Sequence, residues 1–236
     1  MKMSSETIIA EARSSWIEPS AGFITEAETL RWLNMAEADF VRYTKCLRMK
    51  WPFGTTAEQQ EYSFPIDMRM YEILWITVEG ERITPTTTDE LDAYKSNWRQ
   101  SAGGSTGEPE WYYITGSHDE QLGFFYCPDE VYQIVALIVE DPPAILSISS
   151  STYPKIRETW HEALVYFVEW RGHKKNRNWE AAGQSRKDYQ VMREEAKTAF
   201  ASLIPERTAM LSGPEYRPSQ RKLHWPRWPS GYGGIT

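Results

Sequence analysis

Up to residue 49 the apolar positions recur every three to four residues. In SETIIAEARSSW, residues 5–16, Ile8, Ile9, Ala12 and Trp16 fall on one face of a short helix. Pro19-Ser20-Ala21-Gly22 breaks the period. Thr25-x-x-Glu28 then has the form of a capping box, where hydroxyl and carboxylate each take the other residue's backbone N–H. Ala27, Leu30, Leu33, Phe40, Thr44 and Leu47 carry helical spacing on to about Met49, and Trp51-Pro52-Phe53-Gly54 ends the second helix.

The pattern changes near residue 55. Up to about 148 it consists of short apolar runs rich in Tyr, Ile, Val, Trp and Thr, separated by turn residues. Tyr62-Ser63-Phe64, Tyr71 to Val78, Arg82-Ile83, Trp111 to Thr115, Leu122 to Tyr126 and Val131 to Glu140 read as strands. Glu79-Gly80 supplies a hairpin turn, because glycine tolerates the positive φ it needs. TDELDAYKSNW, residues 88–98, is a helical excursion with acidic residues in its first turn. Residues 101–109 form a flexible loop, Cys127-Pro128-Asp129-Glu130 suits a type I turn, and Asp141-Pro142-Pro143 closes the β-like stretch.

Helical spacing returns after Pro154 through Ile156, Trp160, Leu164, Phe167 and Arg171. HKKNRN, residues 173–178, is a basic turn. Asn178 is placed to cap a last helix with the stripe Ala182, Tyr189, Met192, Ala196, Phe200 and Leu203, which Pro205 stops. Beyond it the chain is rich in Pro, Gly and Trp and has no period. His224-Trp225-Pro226-Arg227-Trp228-Pro229 is incompatible with a helix, since each proline removes a donor and holds its predecessor extended. An extended basic segment bearing two tryptophans fits docking on a neighbour better than a life in water. Its candidate contact residues are Tyr216, Arg217, Arg221, Lys222, Trp225, Pro226, Arg227 and Trp228.

The 236 residues are 41% hydrophobic and 25% charged, a globular balance that supports a core without staples. The N-terminus lacks the apolar run of a signal peptide, and no stretch approaches the length of a membrane span, so no membrane partner is expected. With 11 Trp, 13 Tyr and 8 Phe, aromatic residues exceed what one small core hides, which points to interfaces. The net charge of −7 is unevenly spread. Residues 1–54 balance, 55–154 carry 17 acidic and 4 basic groups, and 155–236 carry 9 acidic and 15 basic groups. Opposed charge on successive segments is a device for oriented association or for repelling a polyanion from one face; a plain solvated acidic surface is the alternative.

Catalytic signals are weak. No GxSxG, phosphate loop or GxGxxG occurs. His161-Glu162 opens like a zinc-protease helix, but Val165 stands where the second histidine belongs, and His118, His173 and His224 form no ligand spacing. Cys46 and Cys127 are far apart and read as reduced thiols. Asp89, Glu90 and Asp92, like Asp129 and Glu130, sit at helix-start or turn positions where acidic residues have structural reasons to be. Catalysis, cofactors and metals are therefore not expected. A glycan-binding tail or baseplate module using Trp98, Trp111, Tyr112 and Tyr113 is the alternative function, and stacking of single-stranded nucleic acid on the tail is disfavoured by the overall acidity.

The order of these pieces resembles the head-to-tail adaptor (connector) proteins of tailed bacteriophages. The resemblance runs over roughly residues 5–203: TEAETLRWLNMAEADFVRYTKCLR, TTAEQQEYSFPIDM, ILWITVEGERITP, TDELDAYKSNWR, GEPEWYYITG, FFYCPDEVYQIVALIVEDPPAIL and HEALVYFVEW, in that order. It implies an α+β fold. A small bundle of N- and C-terminal helices (1–54 and 155–205) carries a β-rich insertion (55–154) and an extended C-terminal arm (206–236). It also implies a structural protein of the virion neck at the portal vertex, assembled in the host cytoplasm as a ring, twelvefold in the family. The ring would sit between the portal protein and a tail or nozzle protein, with DNA passing through its lumen unread.

Overall fold

The computed structural model describes residues 2–16, 22–65, 68–95, 98–99, 106–116 and 121–202. Its compact unit runs to Phe200. The fold is α+β: five helices and one curled seven-stranded sheet.

Helix α1 spans Ser5–Ser14 and is capped by Ser4, whose Oγ accepts the Thr7 N–H at 3.1 Å. Helix α2, Glu26–Thr44, begins with the expected capping box: Glu28 N–H donates to Thr25 Oγ1, and Thr25 N–H donates to Glu28 Oε2. It stops five residues short of the expected end. Lys45 adopts a left-handed conformation (φ 54°) that turns the chain, and Arg48–Gly54 becomes strand β1.

The other strands are β2 (Glu61–Ser63), β3 (Met70–Val78), β4 (Glu81–Pro85), β5 (Trp111–Thr115), β6 (Gln121–Phe125) and β7 (Gln133–Glu140), in the order β1-β7-β3-β4-β5-β6-β2. Helix α3, Thr88–Tyr94, links the parallel neighbours β4 and β5. Glu79 and Gly80 both have positive φ (48° and 88°), so the β3–β4 hairpin has the backbone handedness that matches strand twist.

Pro52 fits in β1 because β1 is an edge. Glu140 N–H donates to Leu47 O and Thr55 N–H to Tyr132 O, each at 3.0 Å. In an antiparallel ladder this alternation points the backbone groups of Pro52 away from β7, where its missing donor costs nothing. The sheet then curls until its edges meet through side chains. Phe53 of β1 packs on Tyr62 of β2 at 5.7 Å, and Trp51 packs on Phe64 at 5.2 Å. Ile76, Val78, Tyr112, Leu122, Phe124, Ile134, Ala136 and Ile138 fill the inside of the curl.

Helix α4 is His161–Lys175 and α5 is Trp179–Ser202. Pro154 does not start α4, as the spacing had suggested. Residues 154–157 are irregular, and a 3-10 turn at Glu158–Trp160 precedes the helix. The reason is that the N–H groups of Lys155 and Ile156 are taken by the buried Glu37 carboxylate of α2. α4 also runs through His173, so the basic turn is confined to residues 176–178, where Asn178 Oδ1 accepts the Ala181 N–H. The stop at Pro205 lies outside the described residues.

α1, α2, α4 and α5 share one core, including Ile8, Ala12, Trp16, Trp32, Leu33, Phe40, Leu164, Phe167, Val168, Tyr189 and Phe200. Ala27, expected inside, is instead exposed, while Leu30 packs partly against the helical core; both line an open groove on α2. Val139 of β7 belongs to this helical core, whereas Ile134, Ala136 and Ile138 belong to the sheet interior.

Two helical glycines make a matched test. A Cβ on Gly172 would stand 2.3 Å from the Trp16 ring, while one on Gly183 meets nothing within 4 Å. Gly172→Ala is expected to lose about 1–3 kcal/mol of stability through overpacking. Gly183→Ala is expected to gain up to about 1 kcal/mol from helix propensity. Urea denaturation of the two variants checks both signs.

Candidate functional site

The predicted contact residues Tyr216, Arg217, Arg221, Lys222, Trp225, Pro226, Arg227 and Trp228 all lie outside the described residues. The structure therefore bears on the remaining candidates.

Of the acidic clusters Asp89-Glu90-x-Asp92 and Asp129-Glu130, weighed as carboxylate pairs for hydrolysis, three members have structural occupations. Glu90 closes the capping box of α3, with its carboxyl lowered by the Thr87 N–H it accepts. Asp92 accepts Trp98 Nε1–H at 2.8 Å and pairs with Arg99 at 3.0 Å. Asp129 accepts the Tyr132 hydroxyl at 2.7 Å and pushes that phenol up to about 12. Each carboxylate ties down its own loop. Among the described residues no group of three or more His, Cys, Asp or Glu side chains is gathered to hold a metal, and Cys46 and Cys127 are free thiols.

The aromatic platform proposed for glycans is largely spent on packing. Trp98, Tyr112 and Tyr113 are buried, and Trp111 is half-buried in a stack on Phe125 with ring centres 5.1 Å apart. Tyr113 lies across Gly123 on the neighbouring strand, where any Cβ would fall 2.1 Å from its ring. Trp98, Tyr113 and Phe125 form a small core with Leu91 of α3, Trp111 packing against it, while Tyr112 faces the sheet interior.

What the residue-by-residue reading missed is a set of buried polar side chains that hold the irregular stretch 141–157. Asn34 of α2 donates to Ile145 O and accepts its N–H, at 2.9 and 2.7 Å. Ser5 Oγ accepts from Ser149 N–H and donates to Ser149 O, while Ser5 N–H reaches Thr152 O. His161 is buried, accepting the Met3 N–H at Nδ1 and lying 3.1 Å from Ile156 O at Nε2. These pairings require a neutral ring with its proton on Nε2. The visible signal was Glu37, a carboxylate on the apolar stripe between Leu33 and Phe40.

The exposed surface is polarised in its chemistry. Glu58, Glu79, Glu81, Glu108, Asp129 and Glu130 are exposed around the loops at one end of the sheet. Lys174, Arg177, Arg186 and Lys187 are exposed around the α4–α5 turn. This division follows the charge asymmetry of the chain.

The model of the SU10 adaptor protein family matches residues 3–218. The chain belongs to the SU10 adaptor protein family. The match takes in both cores and reaches past α5 into the basic segment, including Tyr216 and Arg217 but stopping before Arg221. No curated protein matches the chain. As a phage adaptor protein it has its place in the virion, among head and tail components, and its family points to a structural role. Among the described residues no helix is long and apolar enough to cross a membrane.

The His161 pairings generate a pH prediction. Burial pushes His161 below the usual histidine value of about 6.5. With the folded value depressed, the unfolded chain binds more protons in the window below 6.5, so stability is full above it and falls as pH drops through it. The expected slope is up to about 1.4 kcal/mol per pH unit. His161→Gln should flatten the slope below about pH 6.5 in urea titrations. An unchanged slope would assign it to other groups.

Proposed function

We propose that this adaptor assembles as a ring, twelvefold by analogy with its family, between the portal protein and a tail or nozzle protein, and that DNA passes through its lumen without being read. The family match over residues 3–218 carries this reading. In it, the helices of 1–54 and 155–205 form the bundle, 55–154 is the insertion, and β1 is the strand that the first segment lends to the sheet. An acidic lumen suits DNA translocation, because attractive phosphate contacts would retain the strand. The acidic excess of residues 55–154, 17 acidic against 4 basic groups, includes groups that could serve that lining. Assembly takes place in the host cytoplasm, and the protein ends up in the neck at the portal vertex.

The arm, residues 206–236, docks on the portal or a neighbouring protomer. Trp225 and Trp228 are its anchors, Tyr216, Arg217, Arg221, Lys222 and Arg227 flank them, and Pro226 holds the backbone extended. Burying a tryptophan in a partner's pocket recovers the apolar area that an isolated arm leaves in water.

Two measurements test this. Light scattering and negative-stain imaging, with and without purified portal, should reveal a ring alone or a monomer that becomes a ring on portal; a monomer that ignores portal removes the reading. Deleting 213–236 should leave the thermal unfolding of the core in place, since the compact unit ends at Phe200, and should abolish portal docking. Trp225→Ala and Trp228→Ala should each weaken docking by about 2 kcal/mol, roughly thirtyfold in Kd. Portal binding by the truncated chain at full affinity would remove the arm assignment.

A further inference from the structure

A cluster of exposed bases and a cluster of exposed acids stand at opposite ends of the folded core, while other exposed acids, such as Glu11, Glu26 and Glu180, are scattered over the helices. One end of the helical bundle abuts the sheet. There Arg48 Nη2 reaches Phe200 O, Trp160 packs between Phe40 and Phe200, and Leu74 and Val139 of the sheet join the helical core. The other end gathers the start of α2 and the ends of α1 and α4. Lys175 pairs with Glu28 at 2.6 Å and donates to Phe23 O, and Trp16 packs edge-on against His173. The α4–α5 turn therefore sits at the end of the bundle far from the sheet.

That turn is basic and carries an exposed tryptophan. Residues 171–188 hold six Lys and Arg against Glu180 and Asp188, with Asp188 and Glu11 both close to Glu169. Arg171 and Arg186 both lie over the Trp170 ring, at 5.8 and 5.4 Å, which fixes two of these cations on one surface. Trp179, the first residue of α5, is 64% exposed two residues after Arg177. Leaving a tryptophan in water beside arginines is the composition of an interface centre.

The acidic cluster lies at the opposite extreme. β1 leaves the bundle at Arg48 and ends at Gly54; β7 starts at Gln133 and returns to the bundle at Val139. Beyond the outer ends of these strands, four loops are tied together by Thr55 N–H to Tyr132 O, Glu58 N–H to Pro128 O, Glu79 N–H to Gln133 O and Gly107 N–H to Cys127 O. These loops present Glu58, Glu79, Glu81, Glu108, Asp129 and Glu130 to solvent. β7 alone, which leads from the outer loops to the helical core, is about 26 Å long. The Debye length at 0.1 M salt is about 10 Å, so one pole does not neutralise the other within a protomer.

We propose that the α4–α5 corner, centred on Trp179 with Lys174, Arg177 and Arg186, is a docking surface for the acidic outer loops of the sheet of a second copy. This rests on the ring reading and names a contact within it. Charge complementarity selects the occupant: each copy offers one pole of each sign, and only a neighbour can bring them together. The contact joins two different patches, so it propagates with one direction and closes when the rotation between copies allows.

The test uses charge exchange in the full chain. Lys174→Glu with Arg177→Glu reverses the corner, and Glu108→Lys with Glu130→Lys reverses the loops. Circular dichroism and thermal unfolding establish that each variant folds. By sedimentation velocity at about 0.05 M salt, the wild type should self-associate, and at about 1 M salt, where the Debye length is about 3 Å, it should dissociate. Each reversed variant alone should be monomeric, and an equimolar mixture should regain the wild-type mass, because each reversed patch then finds its opposite. Trp179→Ala should weaken association at least tenfold without altering its salt dependence. Rings that survive corner reversal, or a mixture that stays monomeric, would overturn the contact and leave the ring reading standing. A wild type that is monomeric at low salt would also overturn the contact, while ring formation on portal would decide the ring reading separately.

Discussion

The structure depends on how residues 141–157 satisfy their backbone. They leave the last strand and run along the helical bundle to α4 with no regular secondary structure, mostly exposed but burying Ile145, Pro154 and Ile156. An irregular segment must find a partner for each peptide group it does bury. Helix side chains supply them: Asn34 holds Ile145, Ser5 holds Ser149, and Glu37 holds Lys155. Burial pushes the Glu37 carboxyl upward while the two N–H groups it accepts pull the other way. Removing that carboxylate would leave two buried donors unpaired, a larger loss than the hydrogen bonds themselves contribute.

This clasp lets a helical bundle carry a sheet without a second independent core at the junction. β7 is shared. Its central position between β1 and β3 gives it hydrogen-bonded neighbours on both sides, and its side chains divide between the sheet interior and the helical core. A strand built into both cores is a stiffer coupling than a linker, because packed interiors deform little.

Local rules recovered what local chemistry determines. The capping box at Thr25, the Glu79-Gly80 hairpin and the Asn178 cap were legible because two or three adjacent residues decide each. The end of α2 was not legible, since Leu47 and Met49 continue the helical spacing and only pairing with β7, some ninety residues away, makes them strand. The burial of Trp98 and Tyr113 was hidden for the same reason: α3 and the β5–β6 hairpin enclose them from distant parts of the chain. The charge asymmetry was visible from counting, but placing its exposed basic and acidic clusters at opposite ends required the fold. The family likewise emerged from the order of elements rather than from any one motif, as suits a protein whose work is shape.

Ser5 and Met3 hold residues well over a hundred positions downstream. This has a consequence in time. The N-terminal helix leaves the ribosome early and can meet α2 at once, through Arg13 and Ile24 O, but its contacts with Ser149, Thr152 and His161 wait until those residues are made, at about 5–20 residues per second in synthesis. The helical core therefore closes only when the second half of the chain arrives.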